Sequence, residues 1–361
     1  MAGGTGGHVF PALAVAKILT SRGWRVEWLG TAAGIEARVV PANHFVLHCI
    51  TAVGLRGKGL KKLIGAPWQL LRAFYQSLHV FRQLRPDVVL GMGGFASAPG
   101  GISAFLLRVP LVIHEQNAIA GTTNRLLARL AQRVLSAFPA VFADGECVGN
   151  PVRADIAALA GVKKTVAGSS GRMRLLVLGG SQGAKSLNAI LPQALALLPE
   201  SMRPDVFHQA GANLLEETRK NYRDAGVSAS IEPFIENMAD RYQWADLAVC
   251  RAGAMTVSEL ACAQLPALLV PFPFAIDDHQ THNALWLANA GAARLLPQAG
   301  LTAELLAKHL QELSGNRQVL QEMATSMSAL ANPQSAENVA VICEAASHKR
   351  VTGKSGENVS A

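Results

Sequence analysis

The chain has 361 residues, half of them apolar and 16% charged, which suits two domains with large buried cores and excludes a disordered chain. The five cysteines, Cys49, Cys147, Cys250, Cys262 and Cys343, are odd in number and lack a C-x-x-C pair, which excludes a disulfide scaffold and a zinc ribbon and fits a reducing compartment. The net charge of +8 is uneven: residues 1–172 carry +12 and residues 173–361 carry −4, so a basic field that draws nucleic acid, anionic lipid or a phosphorylated ligand belongs to the first half alone.

In chain order, residues 11–22 read as a helix closed by Gly23. Short apolar runs at 26–30, 87–91, 111–115 and 133–137 read as strands, with helical stretches between them. Residues 162–172 (VKKTVAGSSGR) are small, polar and basic, as a linker is. A second series of strands is expected at 174–178, 206–209, 230–234, 247–250, 267–270 and 293–296, followed by a last helix at 336–346. The pattern predicts an α/β protein of two tandem Rossmann-like, doubly wound domains. The domains are expected at 1–160 and 173–346, with a linker at 161–172 and a disordered tail at 347–361. One feature departs from this plan, because the glycine loop at 3–7 has no strand before it. The reading places the true start upstream, with Met1 inside that missing first strand.

The longest apolar run, residues 267–276, is shorter than the roughly 18 residues that suggest a membrane span. The first residues show no basic stretch leading into an apolar one, so no secretory signal is expected. These readings predict a soluble or peripheral protein of the cytoplasm. Residues 60–85 place Ile64, Trp68, Leu71, Tyr75 and Leu78 at helical spacing among Lys61, Lys62, Arg72, Arg82 and Arg85, with no acidic residue between Glu36 and Asp87. A core helix with a solvated basic face would look so. A peripheral membrane surface would too, its aromatic and aliphatic side chains entering the interface while the cations meet anionic head groups. Nucleic acid is not expected, since no aromatics alternate with basic residues on a strand.

Three glycine clusters, at 3–7 (GGTGG), 91–101 (GMGGFASAPGG) and 179–183 (GGSQG), are placed to offer backbone N–H groups and helix N-termini to an anion. Neither the first nor the third matches a dinucleotide fingerprint, as Val9 and Ser181 stand where glycine is required. A P-loop reading of 179–186 departs at Ala184, and no strand ends in an evident magnesium-binding Asp, which leaves an NTPase as a weak rival. Residues 250–259 (CRAGAMTVSE) read as a strand running into a helix that starts at Thr256. Glu259 there is either a capping-box acid or a carboxylate gripping a ribose diol. Asp277, Asp278, His279 and His282 fit no standard metal-ligand spacing and read as a solvated helix start, so no metal is expected, while Gln280 and Asn283 lie on one face and can reach one sugar. In 114–117 (HEQN), His114 or Glu115 is either a base or a loop cap.

The strings at 3–8 (GGTGGH), 91–94, 114–117, 149–153 (GNPVR), 179–184 (GGSQGA), 251–259 and 279–283 together closely resemble the MurG family. Its members are the UDP-N-acetylglucosamine:lipid I N-acetylglucosaminyltransferases of peptidoglycan synthesis. The resemblance implies a glycosyltransferase B fold with an inter-domain cleft. It implies an inverting transfer of N-acetylglucosamine from UDP-N-acetylglucosamine to the C4 hydroxyl of the muramyl sugar of lipid I, giving lipid II. By analogy Ile235 would meet the uracil, Glu259 the ribose and Ser181 the diphosphate, with Arg153, Ala254, Met255, Thr256, Val257 and Ser258 completing the nucleotide site. Asn117, Gln280 and Asn283 would read the sugar, and Thr5, Gly6 and Gly7 would hold a pyrophosphate. His8 is the candidate base, since histidine alone has an ordinary pKa near neutrality. No essential cofactor is implied. A lipid-linked acceptor implies a peripheral enzyme on the cytoplasmic face of the bacterial inner membrane, binding an anionic surface through Lys61, Lys62, Ile64, Trp68, Leu71 and Tyr75, with proteins of cell-wall synthesis as partners. The alternative is a sugar-nucleotide epimerase of the same fold, acting on the same donor without lipid.

Overall fold

Short apolar runs between polar turns become parallel strands in both halves of the computed structural model, as sequences buried on both sheet faces do. The structure describes residues 1–52, 66–162, 171–180 and 183–354, the side chains of 66 and 348–354 excepted. It divides into two units, one of residues 1–153 with 334 onward and one of residues 154–333.

In the first unit β1 (Glu27–Gly30) pairs with β2 (Val46–Cys49). A separate parallel sheet runs in the order β3 (Val89–Gly91), β4 (Leu111–Glu115), β5 (Arg133–Ser136), β6 (Glu146–Cys147). The sequence did not suggest β2 and β6, whose residues lie half-exposed or exposed and carry little apolar signal. Around them lie α1 (Gly6–Ser21), α2 (Glu36–Ala42), α3 (Ala66–Leu84), α4 (Ser97–Leu106) and α5 (Thr122–Leu127). Helix α1 begins at Gly6 instead of residue 11, which brings His8 into its first turn.

No strand forms over residues 1–3. Instead the Met1 amine donates to Leu90 O at 2.7 Å and Met92 N donates to Met1 O at 2.9 Å, laying this residue along β3. Among the described residues β1 and β3 do not pair. A cavity of about 230 Å³ lies between them, lined by Leu19, Trp28, Leu29, Phe81, Val89 and Cys343 among others.

The second unit holds a six-stranded parallel sheet in the order β12-β11-β10-β7-β8-β9. Its strands are β7 (Arg174–Leu178), β8 (Asp205–Gln209), β9 (Ser230–Glu232), β10 (Leu247–Cys250), β11 (Ala267–Leu269) and β12 (Ala293–Leu295). All six were expected within a few residues of these bounds. The order runs outward from β7 in one direction and from β10 in the other, so the topology switches between those two strands. Ligands of doubly wound sheets bind beyond the carboxyl ends of strands at such a point. The unit's helices are α6 (Ala154–Ala157), α7 (Lys185–Ala196), α8 (Leu215–Asp224), α9 (Met238–Trp244), α10 (Ala254–Cys262), α11 (His279–Asn289), α12 (Ala303–Gly315) and α13 (Arg317–Leu330). Its core gathers Leu175, Val177, Leu187, Leu191, Leu247, Val249 and Leu268 with Leu306 and Leu310 of α12.

The last helix, α14 (Ser335–Lys354), corrects the expected domain scheme. Ala336, Val339, Ala340, Cys343 and Ala346 pack on Val15 of α1 and on Val112, Leu135 and Val148 of the first unit's sheet. Arg22 also pairs with Glu337 and Glu344, and the Trp24 indole donates to Glu344 at 3.0 Å. Residues 334–346 therefore belong to the first unit, not the second, and residues 154–160 to the second, not the first. The helix continues to Lys354 through much of the tail expected to be disordered, and residues 355–361 lie outside the described residues. So do residues 163–170 of the expected linker.

Candidate active site

Two glycine-rich loops meet in the first unit because neither carries a Cβ at the contact. A Cβ on Gly94 would overlap the carbonyl of Gly3, and Gly94 has φ +83°, a conformation that favours glycine. The first loop is held from below by Glu36, which is fully buried. Its carboxylate accepts from Gly4 N at 2.9 Å, from Thr31 N at 3.0 Å and from the Thr31 hydroxyl at 2.7 Å. Gly3 and Gly34 crowd this carboxylate, and Gly30 the Cγ behind it, so closely that side chains there would displace it. The sequence reading missed Glu36. Its signal was a lone acid beside glycines, with no other acidic residue until Asp87.

The loop feeds Thr5, Gly6 and Gly7 into the N-terminus of α1, where Thr5 is the N-cap. His8 lies partly exposed in the first turn, its ring against Gly93. The His8 Nδ1 sits 2.7 Å from Gln116 Oε1. The carboxylate of Glu115, 2% exposed, accepts from Asn117 N, Asn117 Nδ2, Gly121 N and Asn124 Nδ2. Glu115 thus shapes the loop that carries Asn117, and of its two expected roles the loop cap is the one its partners describe. His114 is also fully buried, and burial pushes its pKa down to about 4, so it is a neutral imidazole at neutral pH. Asn150 of the GNPVR string donates to Gln116 O at 3.0 Å, and Arg153 ends this string.

In the second unit the loops after β7 and β10 leave adjacent strands, with Leu178 in register with Cys250. They carry Gly179, Gly180 and Gly183 on one side and Arg251–Gly253 on the other to the topological switch point. A Cβ on Gly179 or Gly183 would overlap backbone at Ala184 or Ala210, so the tight turn into α7 requires glycine at both. Ser181 lies outside the described residues. The Arg251 guanidinium is half-buried and bonds to the carbonyls of Val270 and Pro271, to the Ser186 hydroxyl and to Gln298. It ties the carboxyl ends of β10 and β11 to α7.

Helix α10 starts at Ala254 with Gly253 as N-cap, two residues before the expected start. Glu259 is therefore one turn too far along to close a capping box, and its carboxylate instead accepts from the Tyr242 hydroxyl at 2.9 Å. Tyr242, 1% exposed, is a second residue that the sequence reading missed, since only the fold brings α9 to α10. Along this helix start Met255, Thr256 and Ser258 are partly exposed, while Ala254 and Val257 are buried. Ile235 is buried at 6% exposure, just beyond β9.

Residues 277–283 form a helix start, as expected. His279 and His282 bond to the carbonyls of Ile276 and Asp278, and the Thr281 hydroxyl donates to the Asp278 carboxylate. Gln280 is partly exposed and accepts from Phe272 N at 2.9 Å. Asn283 is fully buried and donates to Ala252 O at 3.1 Å, so its side chain positions the loop after β10 and does not share an open face with Gln280.

Of the residues singled out for a membrane surface, Lys61, Lys62 and Ile64 lie outside the described residues. Helix α3 buries Ala73, Ser77 and Phe81, leaving Trp68 at 74%, Tyr75 at 60% and Leu71 at 41% exposure. Trp68, Leu71 and Tyr75, which spacing placed in a possible core stripe, face outward, while Leu78 is half-buried. Among the described residues no helix is long and apolar enough to cross a membrane.

Residues 1–136 match the glycosyltransferase family 28 N-terminal domain, and residues 174–339 match its C-terminal domain. The chain is 53% identical over 346 residues to the UDP-N-acetylglucosamine–N-acetylmuramyl-(pentapeptide) pyrophosphoryl-undecaprenol N-acetylglucosamine transferase of Marinobacter nauticus, covering 95% of each chain. It is 54% identical to the transferase of the same name from Ralstonia nicotianae, over 96% of this chain and 95% of that one. The crystal structure of Acinetobacter baumannii MurG superposes with a TM-score of 0.81 at 40% identity, covering 95% of this chain and 98% of that one. A UDP-N-acetylglucosamine 2-epimerase from Listeria monocytogenes, so described provisionally, reaches a TM-score of 0.64 at 16% identity over 93% of this chain and 92% of that one, a likeness of fold alone. Two Rossmann-like units, the two family domains in order and identity above one half along nearly the whole chain have one explanation: the chain belongs to glycosyltransferase family 28, in its MurG branch.

Proposed function

We propose that this protein transfers N-acetylglucosamine from UDP-N-acetylglucosamine to the C4 hydroxyl of the N-acetylmuramyl unit of lipid I, forming lipid II. The observation that carries this reading is identity of 53–54% over 95–96% of the chain to transferases of that name, against 16% for the epimerase-like fold relative.

On this reading the donor is held by the second unit. The Glu259 carboxylate, oriented by the Tyr242 hydroxyl, accepts the two ribose hydroxyls. Backbone at Ile235 meets the uracil, and Ser181 with the start of α10 receives the diphosphate. As the glycosidic bond to UDP breaks, negative charge grows on the leaving diphosphate. Backbone N–H groups at the N-termini of α7 and α10, with Arg153, stabilise it, so no metal is needed as cofactor. The acceptor hydroxyl attacks the anomeric carbon from the opposite face and inverts it. Its proton passes to His8, and Thr5, Gly6 and Gly7 hold a pyrophosphate beside this base. Asn117 and Gln280 contact the transferred sugar. The outward Trp68, Leu71 and Tyr75, with Lys61 and Lys62, seat the protein on the anionic cytoplasmic face of the membrane where a lipid-linked acceptor resides.

The test is mass spectrometry of a short-chain lipid I analogue incubated with the protein and UDP-N-acetylglucosamine. A gain of one N-acetylhexosamine with release of UDP is expected. Epimerised UDP-sugar with an unchanged acceptor would refute the reading in favour of the epimerase. His8→Ala is expected to lower turnover by roughly 10²-fold; a loss below about fivefold in a folded variant rejects His8 as the base.

A further inference from the structure

Behind His8 lies a chain of polar side chains whose hydrogens are fixed by two backbone carbonyls. The His114 Nε2 lies 2.9 Å from Gly149 O, which can only accept, so this nitrogen carries a proton. Gln116 Nε2 lies 3.0 Å from the carbonyl of His114, again only an acceptor, which assigns the amide nitrogen of Gln116 to that side. The same Nε2 lies 3.1 Å from His114 Nδ1, which in a neutral imidazole already protonated on Nε2 is a lone pair. Burial, which pushes the His114 pKa to about 4, keeps that ring neutral. With its nitrogen committed to His114, Gln116 turns its oxygen to His8 Nδ1 at 2.7 Å, and this contact requires a proton on His8 Nδ1. Gln116 itself is 1% exposed, and Asn150 Nδ2 clamps its backbone carbonyl. The amide therefore has little freedom to flip.

We propose that Gln116, oriented by His114 and the Gly149 carbonyl, is a positioning residue that holds His8 in its Nδ1–H tautomer and so makes His8 Nε2 the proton-accepting atom. The inference rests on the assignment of His8 as base made above. It assigns work to Gln116 and His114, neither of which touches the reacting atoms. No charge moves through the relay: when His8 Nε2 takes the acceptor proton, the Nδ1–H bond to the Gln116 oxygen persists and shortens as the ring becomes cationic. The arrangement is the neutral counterpart of a base steadied by a third group.

The tautomer is read directly by long-range proton–nitrogen correlation spectra of the full-length protein labelled with ¹⁵N-histidine, at a pH where the imidazoles are neutral. Loss of one signal set in His8→Gln assigns His8. Wild-type His8 is expected to be protonated on Nδ1, and Gln116→Met, which removes all three side-chain polar contacts at nearly constant volume, is expected to shift it toward Nε2–H. The same substitution should lower kcat by roughly 10²-fold while KM for UDP-N-acetylglucosamine stays within about threefold, because the base and not the donor site is disturbed. A wild-type His8 protonated on Nε2, an unchanged tautomer in Gln116→Met, or a kcat within about threefold of wild type would each overturn the proposal. The wild-type spectrum decides it even where the variant does not fold. Absence of transfer by the wild-type protein would instead overturn the proposed function and leave the tautomer measurement standing.

Discussion

Replacing Glu36 tests whether one buried carboxylate sets the first glycine loop. Glu36→Ala removes a buried carboxylate that accepts three hydrogen bonds at 2.7–3.0 Å and leaves Gly4 N and Thr31 N without that acceptor. A hydrogen bond to a charged group contributes about 1.5–3 kcal/mol, and each stranded donor costs about 1–3 kcal/mol. These terms overlap, so the expected loss is about 3–5 kcal/mol. For a unit of this size each kcal/mol lowers Tm by about 2–4 °C, so the first unit's transition should fall by about 6–20 °C. Scanning calorimetry of the full chain reads this, and faster amide exchange at Gly4 and Thr31 ties it to the loop. Gly34→Ala should act in the same direction with Glu36 still present, because the added methyl displaces the carboxylate. A Glu36→Ala protein whose Tm falls by less than about 2 °C, with exchange at Gly4 unchanged, would refute the reasoning.

Glu259→Gln should raise KM for UDP-N-acetylglucosamine by about tenfold or more, with kcat little changed, and Tyr242→Phe should act more weakly in the same direction; steady-state kinetics with an unaltered KM would remove Glu259 from the ribose site. Burial pushes the pKa of His208, in a buried network with Tyr222 and Asn188, down to about 3. The unfolded chain, with histidine near 6.5, then binds more protons than the folded one below pH 6.5, so stability falls as pH drops from about 6.5 toward 3. Thermal unfolding at stepped pH should show that slope in the second unit, and His208→Gln should flatten it; an equal slope in the variant would place the acid sensitivity elsewhere. Trp68→Ser combined with Lys61→Glu should abolish co-sedimentation with anionic vesicles that the wild type shows, each lost cation alone weakening it by about 1 kcal/mol; a double variant that binds as the wild type does would clear α3 of membrane contact.

Local sequence carried the alternation of strands and helices, because a strand buried on both faces must be apolar and must end where glycine lets the chain turn. β4, β7 and β10 therefore fell on their expected residues. The glycine loops were legible for the same reason, since the close approach of Gly94 to Gly3 tolerates no Cβ. Helix starts were less so: α10 begins at Ala254 because Gly253 is extended, and that backbone choice moved Glu259 from a cap to a partner of Tyr242. Side-chain direction was not legible at all along α3, where a helical period marks one face without saying whether the core or the solvent lies beyond it. Ala73, Ser77 and Phe81 took the core, and Trp68 and Tyr75 were left outside. The HEQN string was visible as letters, but its chemistry needed Gly149, 35 residues from His114, and His8, 108 residues from Gln116. The same holds for α14, whose small apolar residues gave no hint that they would return to α1. Sequence alone determined the fold class, since periodicity and glycine placement act between near neighbours in the chain, while the family came from the resemblance its motif strings carry. Only the tertiary structure decided which carboxylates carry the loops and which nitrogen of His8 holds the proton, because hydrogen bonds depend on distances that chain separation does not set.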